Sequence, residues 1–219
     1  MARLARVINP GYPHHVIQRG NRRQNVFFSH HDKDIYLNIL EEQSRKYGVK
    51  FWAYCLMDNH IHLVAVPCDA DSLARAIGET HRRYTRMINF REGWRGYLWQ
   101  GRFSSFPVGP SYLYNLIRYV ERNPVRAGIV QNAEDYTYSS AWAHVYGIKS
   151  GLLSDFWLLK KVKNWRKYLR EKDREEFVEL FRSHVATGRP FGEEEFIDEL
   201  EKKLDIILKK QKPGPKPKN

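Results

Sequence analysis

A chain of 219 residues with 42% hydrophobic and 14% aromatic side chains has enough length and apolar content for a buried core, which excludes wholesale disorder. Its 37 lysines and arginines outnumber 25 acidic residues and leave a formal charge of +12, a balance that suits a polyanionic partner because each phosphate neutralised releases counterions. Cys55 and Cys68 form no CxxC pair, MARLARVINPGYP has no apolar signal-peptide core, and no stretch approaches the roughly 18 apolar residues of a spanning helix. The expectation is a cytoplasmic protein in a reducing compartment, with no membrane partner.

The elements follow from the hydrophobic spacing. His14–Arg19 (HHVIQR) is a short β-like run closed by the turn-forming Gly20 and Asn21. Residues 32–47 carry Ile35, Ile39, Leu40 and Tyr47 at helical spacing, with Asp32 as the cap and Gly48 as the stop. Val49–Met57 is a strand, Asp58 and Asn59 make a tight turn, and residues 60–66 (HIHLVAV) return as a second strand. Residues 72–90 are helical, with Leu73, Ile77, Tyr84 and Ile88 along one side and arginines elsewhere. A strand region over 97–108 precedes a helix over 111–122, which stops at Asn123-Pro124 because proline disfavours helix in the residue before it. This order predicts an α+β sandwich with a mostly antiparallel sheet.

Composition shifts after Tyr146. Residues 148–210 read as a helical C-terminal extension, in which EKDREEFVELFRSHV and EEEFIDELEKKLDIILKK are split by the loop TGRPFG. The organisation expected is a first domain over 1–147, the extension over 148–210, and a basic, proline-rich disordered tail over 211–219.

His60 and His62 are two apart on a strand, so both imidazoles project from one face while Ile61 and Leu63 point to the other. Neutral imidazole is a common ligand for divalent metals, although two histidines on a half-buried strand also serve as core or hydrogen-bonded residues. Tyr119 and Asn123, four apart on a helix, are neighbours on one face, away from the stripe of Leu113, Ile117 and Val120. They fit two descriptions: a phenol beside a metal held by the carboxamide, or a packed ring and a helix cap. As a nucleophile the phenol needs nearby positive charge or a base, and Arg118 and Arg122 flank it in sequence.

The stretch YCLMDNHIHLVAV, the later LWQGRFSSFPV and the segment LIRYVERNPVRAGIV occur in that order. With their gaps they resemble the single-tyrosine HUH transposases, most closely the REP-associated tyrosine transposases, over residues 5–146. The resemblance implies a ferredoxin-like or RRM-like antiparallel sheet with helices on one face and the tyrosine helix beside it. It implies that His60 and His62 of the HUH motif bind a divalent ion, Mg²⁺ or Mn²⁺. It also implies that Tyr119, five positions before the proline of the NPV segment, is the nucleophile and that Asn123 completes the metal site. The activity implied is cleavage and strand transfer of single-stranded DNA near a hairpin, through a 5′-phosphotyrosine link that leaves a free 3′-OH. Asp58 departs from the pattern, because relatives commonly carry proline there; it could loosen the turn or add a carboxylate near the metal.

For the single-stranded or hairpin DNA, the candidate contacts are Arg19, Arg22 and Arg23 at the first turn, Arg82 and Arg83 on the second helix, and Trp99, Gln100 and Arg102 in LWQGRF. Such mixtures of cations and aromatics grip single strands, though each also has a surface or core reading. Two rivals use the same scaffold: a catalytically inactive DNA- or RNA-binding regulator, and a replication initiator or relaxase. Either a monomer or a homodimer is compatible with a single tyrosine.

Overall fold

The computed structural model describes residues 6–209. Four strands, β1 (His14–Arg19), β2 (Val49–Met57), β3 (His60–Pro67) and β4 (Ser104–Pro107), form one antiparallel sheet in the order β2-β3-β1-β4. Helix α1 (His30–Tyr47) lies between β1 and β2 in the chain, and α2 (Ser72–Glu92) between β3 and β4. This is the ferredoxin-like arrangement, an α+β fold as expected.

Alternation along β3 decides what each face meets. Ile61, Leu63 and Ala65 join Val16 and Phe51 beneath Tyr36 and Leu40 of α1 and Ile77 and Tyr84 of α2, all buried. That face carries the expected helical layer. The opposite face is also covered. Ala53, Val64 and Phe106 pack there against Leu116, Ile117 and Val120 of α3 (Pro110–Glu121), so the helical cover extends beyond the one face expected. Across the strands His62 stands opposite Ile17 on β1 and Cys55 on β2, and His60 opposite Arg19 and Met57, which places the two histidines on the α3 face.

Several element ends differ from expectation for local reasons. Helix α1 begins two residues earlier than the spacing suggested: Ser29 is its cap, and Asp32 is the third helical residue, returning bonds to the Ser29 and Phe28 amides in a capping box. The strand expected over 97–108 shrinks to β4, with an isolated bridge from Gly20 to Trp99, because Gly96 and Gly101 adopt positive φ and turn the chain out of the sheet. Asn123-Pro124 ends α3, but Pro124 then sits in the first turn of a short helix, α4 (Asn123–Arg126).

Beyond α5 (Ala141–Tyr146) come α6 (Trp157–Lys161), α7 (Trp165–Arg170), α8 (Glu175–Thr187) and α9 (Glu194–Leu204). Phe156, Trp165, Tyr168, Phe181 and Phe191 share the second core with Phe106 and Leu116. Phe196 and Leu200 of α9 form a smaller cluster with Val7 and Leu208. The tail over 211–219 lies outside the described residues. Among the described residues no helix is long and apolar enough to cross a membrane.

A buried carboxylate ties the extension to α3. Glu121 is fully enclosed and accepts from Ser140 Oγ at 2.5 Å and Trp165 Nε1 at 2.8 Å, with His144 Nδ1 also at 2.5 Å. Glu121→Ala leaves these groups without their acceptor, and unpaired buried polar groups cost about 1–3 kcal/mol each. A loss of about 3 kcal/mol in unfolding free energy is expected, read by urea denaturation; an unchanged midpoint would contradict this account.

Candidate metal and tyrosine site

The histidine and tyrosine candidates gather on the α3 face of the sheet. His60 and His62 stand with ring centroids 5.0 Å apart, and the Tyr119 ring meets His62 edge-on at 5.9 Å. Strand alternation thus sets the two imidazoles side by side, and α3 crosses above them with Tyr119 on the side facing the sheet.

Each histidine is oriented through Nδ1. His60 Nδ1 is 2.6 Å from the Asn59 side-chain oxygen, and His62 Nδ1 is 2.9 Å from His15 Nε2. Neither Nε2 has a hydrogen-bond partner among the described residues, and with the proton on Nδ1 each carries a lone pair. This is the usual outer-shell arrangement of metal-bound histidine. Burial, reinforced by Arg19, holds the His60 pKa down to about 4, and burial with the neighbouring His15 and His60 holds His62 well below its ordinary value. Both rings are therefore neutral at pH 7, the form that binds metal.

Asn123 lies one turn beyond Tyr119. Its amide nitrogen donates to the Tyr119 and Val120 carbonyls at 3.2 and 3.1 Å, capping α3, and its side-chain oxygen has no partner. No hydrogen bond joins it to either histidine. Among the described residues no three His, Cys, Asp or Glu side chains gather as a metal site. By chemistry alone, two neutral imidazoles and one amide oxygen would suit a divalent ion that keeps water in its remaining positions.

Tyr119 is more enclosed than its position off the apolar stripe suggested. It is 6% exposed, because Phe181 of α8 packs on its ring at 4.6 Å and on His15 at 4.8 Å. Its hydroxyl makes no hydrogen bond among the described residues. The cation beside it also differs from expectation: Arg126, not Arg118 or Arg122, sits with its guanidinium carbon 4.0 Å from the ring centroid and donates to the Tyr119 carbonyl. Arg118 and Arg122 turn to the extension instead. Asp173 lies 3.1 Å from Arg118 Nε, 3.8 Å from Arg122 Nε and 2.8 Å from Arg126 Nη1, and Glu171 takes a further bond from Arg118 at 2.6 Å. Burial lowers the Arg126 pKa, against the raising pull of Tyr119 and Asp173.

Sequence reasoning missed three participants. His15 needed the β1–β3 register, Arg126 was legible as the residue two helical turns after Tyr119, and Phe181 had no local signal. Asp58 adds no carboxylate to the site, because its side chain pairs with Lys33 of α1 at 2.7 Å.

The residues assigned to DNA divide by position. Arg19 stands opposite His60 on the same face, and Arg22 and Arg23 are exposed in the turn just beyond, both at positive φ. Gln100 and Arg102 are exposed in the adjoining loop, where the Gln100 amide donates to the Arg19 carbonyl at 2.8 Å. Trp99 is not available for stacking on bases: it is buried, stacked on His81 at 4.4 Å and packed near Tyr36 and Tyr84, because the helical layer needs an aromatic at that corner. Arg82 and Arg83 lie on α2, across the sheet from the histidines, and pair with Glu79 and Glu42.

The family model for IS200-like transposases matches residues 10–123, which include both histidines, Tyr119 and Asn123. The chain belongs to this family. Among solved structures, the fold resembles that of a REP-associated tyrosine transposase bound to a REP hairpin, at a TM-score of 0.58 and 18% identity, covering 71% of this chain and 93% of the other. A transposase-like protein from Deinococcus radiodurans R1 aligns at a TM-score of 0.39 and 20% identity, over 55% of this chain and 97% of its own, too weakly to add to the comparison. No curated protein matches the chain.

Proposed function

We propose that the chain is a metal-dependent single-stranded DNA endonuclease and strand transferase acting at hairpin-associated sites, of the REP-associated kind. The observation that carries this reading is the contact of the Tyr119 ring with His62, which stands beside His60, inside the region matched by the family. His60, His62 and the Asn123 side-chain oxygen would hold Mg²⁺ or Mn²⁺. When bound, such an ion polarises the scissile phosphate and offsets charge on the leaving oxygen.

The protein groups supply the rest. Asn59 and His15 fix the imidazoles through Nδ1, which leaves each Nε2 for the ion. The Tyr119 oxygen attacks phosphorus as its proton passes to water, the bond from phosphorus to the 3′ oxygen breaks with its electron pair, and that oxygen takes a proton from water to depart as a 3′-OH. Arg126 fixes the phenol ring from the side and adds positive charge where negative charge develops. Arg19, Arg22, Arg23, Gln100 and Arg102 form the basic approach at the same end of the sheet. A regulator without catalysis has no need of this whole set.

The test is incubation with hairpin-bearing single-stranded DNA and Mn²⁺, followed by a denaturing gel. A protein–DNA adduct that resists boiling is expected. Its absence across a varied hairpin library would favour the regulator.

A further inference from the structure

Large aromatic rings are rarely left in water together, and one group of them stands apart from both cores. Phe90 is 90% exposed, Tyr97 87% and Trp94 49%, all within eight residues at the end of α2 and in the loop after it. The loop is built to hold them out. Gly93 ends α2 in the left-handed conformation, the Trp94 amide returns to the Asn89 carbonyl at 2.8 Å, and the Asn89 side chain holds the Gly96 carbonyl at 3.0 Å. Trp94 leans edge-on against Phe28 at 5.6 Å, and Arg91, bound to Asp32 and Glu92, braces Phe28 from beneath.

Along the segment that bears these rings the charge is one-sided, and the acids that line the pocket beside Phe90, Glu42 and Glu79, are paired with Arg83 and Arg82. Residues 86–102 contain Arg86, Arg91, Arg95 and Arg102 against one acid, Glu92, which Arg91 already binds. Arg86 and Arg95 are exposed and have no ion pair among the described residues. A second copy of this chain would bring the same cations to the contact and a net charge of +12, which argues against self-association. Exposed rings among arginines suit a strand whose bases stack while its phosphates meet cations.

The loop that follows Tyr97 is hydrogen-bonded to the end of β1 that carries Arg19. Asn21 N–H donates to the Leu98 carbonyl at 2.8 Å, Gln100 N–H to the Arg19 carbonyl, and Arg19 stands opposite His60. We infer that Phe90, Trp94 and Tyr97 form a stacking ledge for unpaired bases of the single-stranded DNA that flanks the hairpin, placed at the end of the sheet where that strand reaches the histidines. This assignment rests on the proposed function for its partner, but its test reads binding alone.

The probe is a hairpin with a single-stranded extension bearing 2-aminopurine, compared with the same hairpin without the extension. The full-length triple variant Phe90→Ala, Trp94→Ala, Tyr97→Ala changes only solvent-exposed rings and is checked by thermal melting. It should bind the extended DNA at least about tenfold more weakly, lose the quenching of 2-aminopurine, and bind the bare hairpin as the native chain does. Should the variant fail to fold, quenching of 2-aminopurine by the native chain, removed by Trp94→Ala alone, reads the same contact. Equal affinity of variant and native chain for the extended DNA would overturn the ledge, as would a stronger effect on single-stranded RNA, or a shift in oligomeric state with DNA affinity unchanged. Absence of a Tyr119 adduct in the native chain counts against the catalytic reading and leaves this measurement intact.

Discussion

Tyr119→Phe should abolish the covalent adduct with hairpin-bearing DNA, a fall of at least about 10³-fold in adduct yield, while the protein stays folded and still binds DNA. Phenylalanine keeps the ring that packs on Phe181 and meets His62, and removes only the oxygen. That hydroxyl makes no hydrogen bond, so no buried partner is orphaned and the stability change should stay within about 1 kcal/mol. An affinity measurement beside the gel separates the two effects. An adduct of undiminished yield from the phenylalanine variant would reassign the nucleophile.

His62→Ala and His60→Ala should each weaken Mn²⁺ binding by at least about 100-fold, measured by calorimetry without DNA and with the fold checked by circular dichroism. If two imidazoles and one amide oxygen hold the ion as proposed, removing one imidazole takes away a third of its protein donors. The two variants should differ in stability. His62 is buried and hydrogen-bonded to His15, so its loss also opens a gap in the second core, whereas His60 lies at the edge, beside Asn59. Unchanged Mn²⁺ affinity in both variants would mean that the ion is held elsewhere.

Much of the first half of the fold was legible. Alternation along β2 and β3 and the apolar spacing of α1 and α2 are local signals, and the structure follows them within a few residues. The site was legible as far as residues on one element can be: His60 and His62 share a face because they are two apart, and Asn123 follows Tyr119 because they are four apart. What failed was long-range. The burial of Tyr119 depends on Phe181, and the turning of Arg118 toward Asp173 depends on a segment more than fifty residues later, neither of which leaves a periodic trace near the tyrosine. Trp99 failed for a different reason. An aromatic next to arginines has the same local pattern whether it fills a core or lines a groove, and only its stacking on His81 decides between them.

The Asp173 clamp has a consequence for how the molecule comes into being. Arg118, Arg122 and Arg126 succeed one another along the α3–α4 region, three like charges within two turns, and their shared counter-charge lies far downstream. A chain emerging from the ribosome completes every residue matched by the family model before it makes that aspartate or the ring of Phe181. Until then the tyrosine-bearing helix carries unbalanced repulsion and an uncovered apolar side. The family boundary at residue 123 is therefore not a folding boundary, and Tyr119 is seated only once Asp173 and Phe181 arrive.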